Sequence, residues 1–100
     1  MNKYELVIVL KPTLDEDALN AEFGQIEEIV TRYGGAIEKT DHWGKRKLAY
    51  EIEKIREGVY RFMHFTAPAN APAEIESRMR IREDVMRYLI VKTDDTEKIL

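Results

Sequence analysis

Few side chains in this chain are equipped for covalent or metal chemistry. Its 100 residues include two histidines, His42 and His64, one serine, Ser77, and no cysteine. The absence of cysteine excludes disulfide staples, thiolate zinc sites and a cysteine nucleophile. The histidines fall in different predicted strands, and neither belongs to a helical i, i+4 pair able to grip a metal ion. Both read as satisfied surface or sheet histidines. Ser77 lies within a predicted helix among charged neighbours, unlike a nucleophile presented on a sharp turn. Gly34-Gly35 ends a helix where a phosphate-cradling loop would open one, and the run Asp15-Glu16-Asp17 is explained by helix capping. No catalytic residue, metal site, cofactor or small-molecule substrate is expected.

What remains is the chemistry of cations beside aromatic rings. Lys45-Arg46-Lys47 follows Trp43-Gly44, while Arg78, Arg80, Arg82 and Arg87 span the end of a predicted helix and the last predicted strand. Guanidinium forks grip phosphates and unstacked bases lie on Tyr, Phe or His rings, so this mixture suits RNA. The run from Gly58 through Tyr60, Phe62 and His64 to Phe65 partly matches the third-strand signature of RNA-recognition motifs. It differs by an extra residue after Gly58 and by Arg61 where a small residue is expected. The formal net charge of −3 opposes a polyanionic partner only until it is resolved by position. Residues 1–38 carry 3 basic and 8 acidic side chains, residues 39–92 carry 12 and 8, and residues 93–100 carry 1 and 3. The acidity is confined to one helix and a short tail, and phosphate binding depends on local cation density. The alternative is that these charge runs are solvated faces.

The elements that position these groups follow from periodicity. Residues 3–10 alternate as a strand whose faces are both largely apolar, and Pro12 ends it. Asp15 is a predicted N-cap, Leu14 and Leu19 stand at hydrophobic-staple spacing, and Leu19, Phe23, Ile26, Val30 and Tyr33 form a helical stripe. Alternation returns over 36–53, with Ile37, Leu48, Tyr50 and Ile52 on one side and Gly44 marking a bulge. A polar connection over 53–58 leads to a strand over 59–67, and Asn70 caps a second helix with Pro72 in its first turn and Ile75 and Met79 as its stripe. A last strand covers 85–92. The order βαββαβ predicts an α+β, ferredoxin-like domain over residues 1–92: a four-stranded antiparallel sheet with both helices on one face and the first and third strands central. Residues 93–100 form a short acidic tail.

One chain of 44% hydrophobic residues, with no stretch of about 18 apolar residues and no apolar run after Met1-Asn2-Lys3-Tyr4, predicts a cytoplasmic single domain without a membrane partner. With Leu6, Ile8, Met63, Phe65, Tyr88 and Ile90 turned to the helices, the opposite sheet face receives Val7, Val9, Tyr60, Phe62, His64, Leu89 and Val91. A face of this composition marks an interaction surface. Its alternatives are a strand phase shifted by a bulge, or a loop folded over the patch. An acylphosphatase-like enzyme on the same topology would need an arginine in the first strand-to-helix loop, and Lys11-Pro12-Thr13-Leu14 supplies none.

Several motifs then converge: Tyr4-Glu5 before an apolar strand ending at Pro12, Tyr33-Gly34-Gly35-Ala36, Gly44-Lys45-Arg46-Lys47-Leu48-Ala49-Tyr50-Glu51-Ile52, Gly58-Val59-Tyr60, and Arg80-Ile81-Arg82 followed by Val85, Arg87 and Val91-Lys92. On these the chain resembles the bacterial small ribosomal subunit protein six family over residues 3–92. Lys47 departs from it, standing where arginine or another polar residue is expected. The resemblance implies a non-enzymatic structural constituent of the small ribosomal subunit. It would bind the central domain of small-subunit ribosomal RNA as a heterodimer with small ribosomal subunit protein eighteen. Carried onto matching positions, it assigns RNA contact to Arg46, Lys47, Arg80, Arg82, Arg87 and Lys92, and base stacking to Tyr4 and Trp43. The apolar face would dock the protein partner. A module that self-associates through the same face is the other expectation.

Overall fold

The computed structural model describes residues 1–52 and 55–93, and within them the side chains of 1–48 and 56–93. The expected acidic tail beyond Thr93, the pair 53–54, and the side chains of Tyr50 and Ile52 lie outside the described residues. The elements run β1 (Asn2–Leu10), α1 (Glu16–Arg32), β2 (Ala36–Ile52), β3 (Ile55–Ala67), α2 (Ala71–Arg80) and β4 (Val85–Thr93). All pairings are antiparallel in the order β2-β3-β1-β4, which puts the first and third strands in the centre as the alternation predicts.

The two periods of the sequence meet in one core. Tyr4, Leu6, Ile8 and Leu10 of β1 and Met63, Phe65 and Ala67 of β3 turn to the same side. There they bury against Phe23, Ile26, Ile29 and Val30 of α1 and Ala71, Ile75 and Met79 of α2. Tyr88 and Ile90 of β4 and Ile37 of β2 close the edges of this layer. Helix α1 starts where its cap predicts, with Asp15 Oδ1 accepting the Ala18 N–H at 2.8 Å and Leu14 and Leu19 both packed on the core. Ile29 joins the buried face beside the expected stripe, widening it as a helix lying on a sheet requires.

Three local expectations are corrected. The connection over 53–58 is mostly strand, because Arg46 and Lys47 pair with Gly58 and Glu57, and Ile52 with Ile55. Ladder hydrogen bonds come from the backbone, so exposed Arg56 and Glu57 extend β3 without any apolar alternation. Asn70 sits in the right-handed helical region (φ −86°, ψ −10°) and makes no side-chain cap; the Pro68 carbonyl accepts the Ala71 N–H at 3.0 Å there instead. In β2 a register shift between Ile37 and Lys39 precedes the expected one at Gly44, whose φ is +72°.

At Gly58 of β3 a Cβ would stand 2.3 Å from Val9 Cγ1, so the Val9 side chain fills the space that a larger residue would need.

Candidate nucleic-acid and protein interface

Among the described residues, the helices cover one face of the sheet and no element covers the other. Cross-strand register sorts that open face into rows. Near its middle Phe62, Val7 and Leu89 stand side by side across β3, β1 and β4, and beyond them Tyr60, Val9 and Arg87. From β2, Trp43 lays its indole on Phe62, with centroids 4.8 Å apart and planes tilted by 30°. Trp43 is 50% and Leu89 57% exposed, large values for side chains that bury apolar area whenever they find cover. Val7, Val9, Tyr60, Arg87, Tyr88 and Leu89 line a shallow cavity of about 240 Å³ on this face.

All seven residues expected on the open face, namely Val7, Val9, Tyr60, Phe62, His64, Leu89 and Val91, share its side of the sheet by register. Val9 is nevertheless buried, beneath the close approach of Gly58, and contributes a floor to the cavity. Arg61, between Tyr60 and Phe62, faces the helices, with its guanidinium 3.8 Å from the Phe23 ring centroid. Burial there lowers its pKa, against a smaller opposing effect of Glu27. The partial RNA-recognition signature therefore presents Tyr60 and Phe62 on the open face and Arg61 and Phe65 on the helix side.

The cations do not form one patch. Lys45, Arg46 and Lys47 are exposed on β2 at the end of the sheet where β3 begins. Arg46 Nε donates to the Trp43 carbonyl at 3.1 Å, and its guanidinium lies 5.5 Å from the Trp43 ring centroid, so cation and ring form a single unit. Arg87 lies on the opposite edge strand in the transverse row of Gly44, two residues along β2 from Arg46 and three strand spacings, or about 14 Å, across the sheet. Arg80 is exposed at the end of α2, on the helix layer at that same end of the sheet. Lys92 is exposed five residues further along β4, roughly 17 Å from Arg87, and points to the helix side beside Tyr4. Arg46, Lys47, Arg80 and Arg87 thus ring one end of the molecule, and Lys92 stands apart.

Two of the residues expected to touch RNA do other work. Tyr4 is 6% exposed and packs on Phe65 with centroids 5.5 Å apart; its alternation phase places it in the core, out of reach of a base. Arg82 grips both carboxylate oxygens of Glu22, at 2.5 and 2.9 Å, and also donates to Gln25 Oε1. Hydrogen bonding to Glu22 raises its pKa, and the pair ties the α2–β4 connection to α1 across 60 residues of sequence. Arg78 is likewise occupied, donating to the Tyr33 hydroxyl at 2.9 Å.

The expectation that the histidines are satisfied and metal-free needs one addition. His64 Nδ1 lies 3.4 Å from Glu5 Oε2 and its Nε2 lies 3.2 Å from Asp41 Oδ2. Strand pairing assembles this row, and helical spacing rules cannot find it. Among the described residues no group of three or more His, Cys, Asp or Glu is arranged to hold a metal ion.

Comparison with known proteins agrees with this architecture. The family model described as Ribosomal protein S6 matches residues 3–92. Small ribosomal subunit protein bS6 of Clostridium acetobutylicum is 42% identical over 94 residues, covering 94% of this chain and 99% of that protein. Its counterpart in Clostridium botulinum strain Hall is 43% identical over 91 residues, covering 91% and 97%. The crystal structure of 30S ribosomal protein S6 from Thermotoga maritima superposes with a TM-score of 0.91 at 27% identity, covering 98% of this chain and 92% of that one. A chemotaxis kinase P2 domain from the same organism reaches a TM-score of 0.63 at 11% identity, over 92% of this chain and 98% of that one, a likeness of fold alone.

Proposed function

This chain belongs to the ribosomal protein S6 family, and from that premise we propose that it holds the central domain of small-subunit ribosomal RNA jointly with small ribosomal subunit protein eighteen, as a heterodimer. Membership makes the chain a non-enzymatic structural constituent of the small ribosomal subunit, in the cytoplasm. The finer assignment of surfaces rests on one observation: an apolar sheet face left uncovered by the protein's own helices, with cations gathered at one end of it.

In this reading the protein partner covers Val7, Tyr60, Phe62, His64, Leu89 and Val91, with Val9 beneath them. Arg46, Lys47, Arg80 and Arg87 reach phosphates from one end, Lys92 makes a separate contact, and Trp43 offers a ring at the junction. Because the cations are spread over two edge strands and a helix, the chain alone reaches few phosphates at once. Affinity for RNA then depends on the partner's own charge, which explains how a chain of net charge −3 works on a polyanion.

Filter binding of a central-domain RNA fragment at two salt concentrations, with and without the partner, tests this. Weak binding alone and tight, salt-sensitive binding of the pair is expected; equal affinity in both cases overturns the heterodimer. Sedimentation of the isolated chain addresses the self-association alternative, since a stable homodimer that quenches or shifts Trp43 fluorescence would place a second copy on the open face.

A further inference from the structure

The open face is chemically polarised, and this deepens the docking reading on which it rests. At one end stand the Trp43–Arg46 unit and Arg87; at the other, Asp41 of β2, His64 of β3 and Glu5 of β1 form a polar row across three strands, with His64 hydrogen-bonded to Asp41 and 3.4 Å from Glu5. Their side chains are only 35%, 28% and 22% exposed, although no layer of the described residues covers them. Lys39 Nζ, 3.6 Å from Asp41 Oδ1, pairs with that carboxylate from a 69% exposed side chain. Two carboxylates, one ammonium and a neutral imidazole leave one negative charge, and Glu5 has His64 as its near partner.

We propose that this row is the cation-accepting end of the docking face, and that the occupant is a basic segment of the protein partner which seats an arginine or lysine side chain on Asp41 and Glu5. The argument is one of cost and complement. Any partner that covers Phe62, Val7 and Leu89 also strips water from the adjoining carboxylates, and a desolvated carboxylate without a counter-charge opposes binding strongly. A partner carrying a cation at that point removes the penalty and gains a charge-assisted hydrogen bond; one without it is rejected. RNA is disfavoured on the same ground, because its phosphates would meet two carboxylates. A second copy of the chain is a poor complement, because each copy carries a net −3. The row therefore fixes which way round the partner lies over the apolar strip.

Titration calorimetry of the full-length chain with purified small ribosomal subunit protein eighteen, at low and high salt, tests the assignment. The variants are Asp41→Asn, Glu5→Gln, their combination, and Phe62→Ser, each checked for folding by thermal melting. The double variant is expected to lose roughly 10- to 100-fold in affinity at low salt and most of its salt dependence. Phe62→Ser is expected to weaken binding while keeping the salt dependence. Unchanged or tighter binding by the double variant, with Phe62→Ser impaired, overturns the cation-accepting role and leaves the docking reading standing. Unchanged binding by both overturns the docking reading itself. Should the double variant not fold, the two single variants decide by the same criterion. A homodimer in sedimentation that Phe62→Ser dissociates assigns the face to a second copy. RNA binding by the double variant that strengthens without the partner, at unchanged partner affinity, assigns it to RNA; either result overturns the proposal.

Discussion

The two faces of this sheet are built from the same four strands and have nearly the same appetite for cover. On one, Leu6, Ile8, Met63 and Phe65 are fully buried beneath two helices. On the other, Val7, Phe62, Leu89 and Val91 alternate with them in sequence and share their character, but meet no layer among the described residues. The covered face carries its polar groups in closed local pairs, Arg82 on Glu22 and Arg61 on Phe23, which tie helix to strand or loop. The open face carries an unbalanced row at one end and exposed cations at the other. Apolar composition alone thus does not separate core from interface. The neighbouring charges differ: on the covered face they bridge elements of the fold, and on the open face they stay partly or fully exposed.

Substitutions can break or sharpen that contrast. Phe65→Ala, on the covered face, is expected to cost about 3–5 kcal/mol in chemical denaturation, through lost burial and an unfilled cavity. Arg82→Ala is expected to cost about 1.5–3 kcal/mol by stranding a partly buried Glu22 carboxylate, with RNA affinity of the heterodimer unchanged. Gly58→Ala lies between the faces, and the forced displacement of Val9 is expected to cost about 1–3 kcal/mol. Phe62→Ser, on the open face, should change the isolated chain's stability by about 1 kcal/mol or less, since only its contact with Trp43 and neighbours is lost. A loss as large as that of Phe65→Ala would mean that the open face is part of the folding core. Arg80→Ala should stay within about 0.5 kcal/mol, while lowering the slope of log affinity against log salt for RNA by about 0.7–0.9.

Much of the architecture was legible before the structure, for reasons that can be localised. Alternation through Tyr4, Leu6, Ile8 and Leu10 and the helical stripe through Phe23, Ile26 and Val30 are one-dimensional records of burial, so element order and sheet faces could be read from them. The start of β3 at Ile55 escaped because Arg56 and Glu57 pair through backbone groups and leave no apolar trace. The site was legible in part. Its apolar residues follow from strand phase, whereas the pairings Arg82 with Glu22 and His64 with Glu5 and Asp41 join residues far apart in sequence, and only the tertiary arrangement reveals them. Tyr4 was misjudged because a motif position was read for chemistry before its alternation phase was applied.

The exposed Leu89 and Val91 lie on β4, an outermost strand whose far edge has no neighbour among the described residues. Such an edge is a template for strands of other chains, and the charges of Arg87 and Lys92 on the same strand blunt it without removing it. The supply of this protein is therefore a matter of stoichiometry: copies made in excess of the molecules that cover them carry a sticky, half-finished surface, and their fate is set by how quickly assembly consumes them compared with how quickly they find one another.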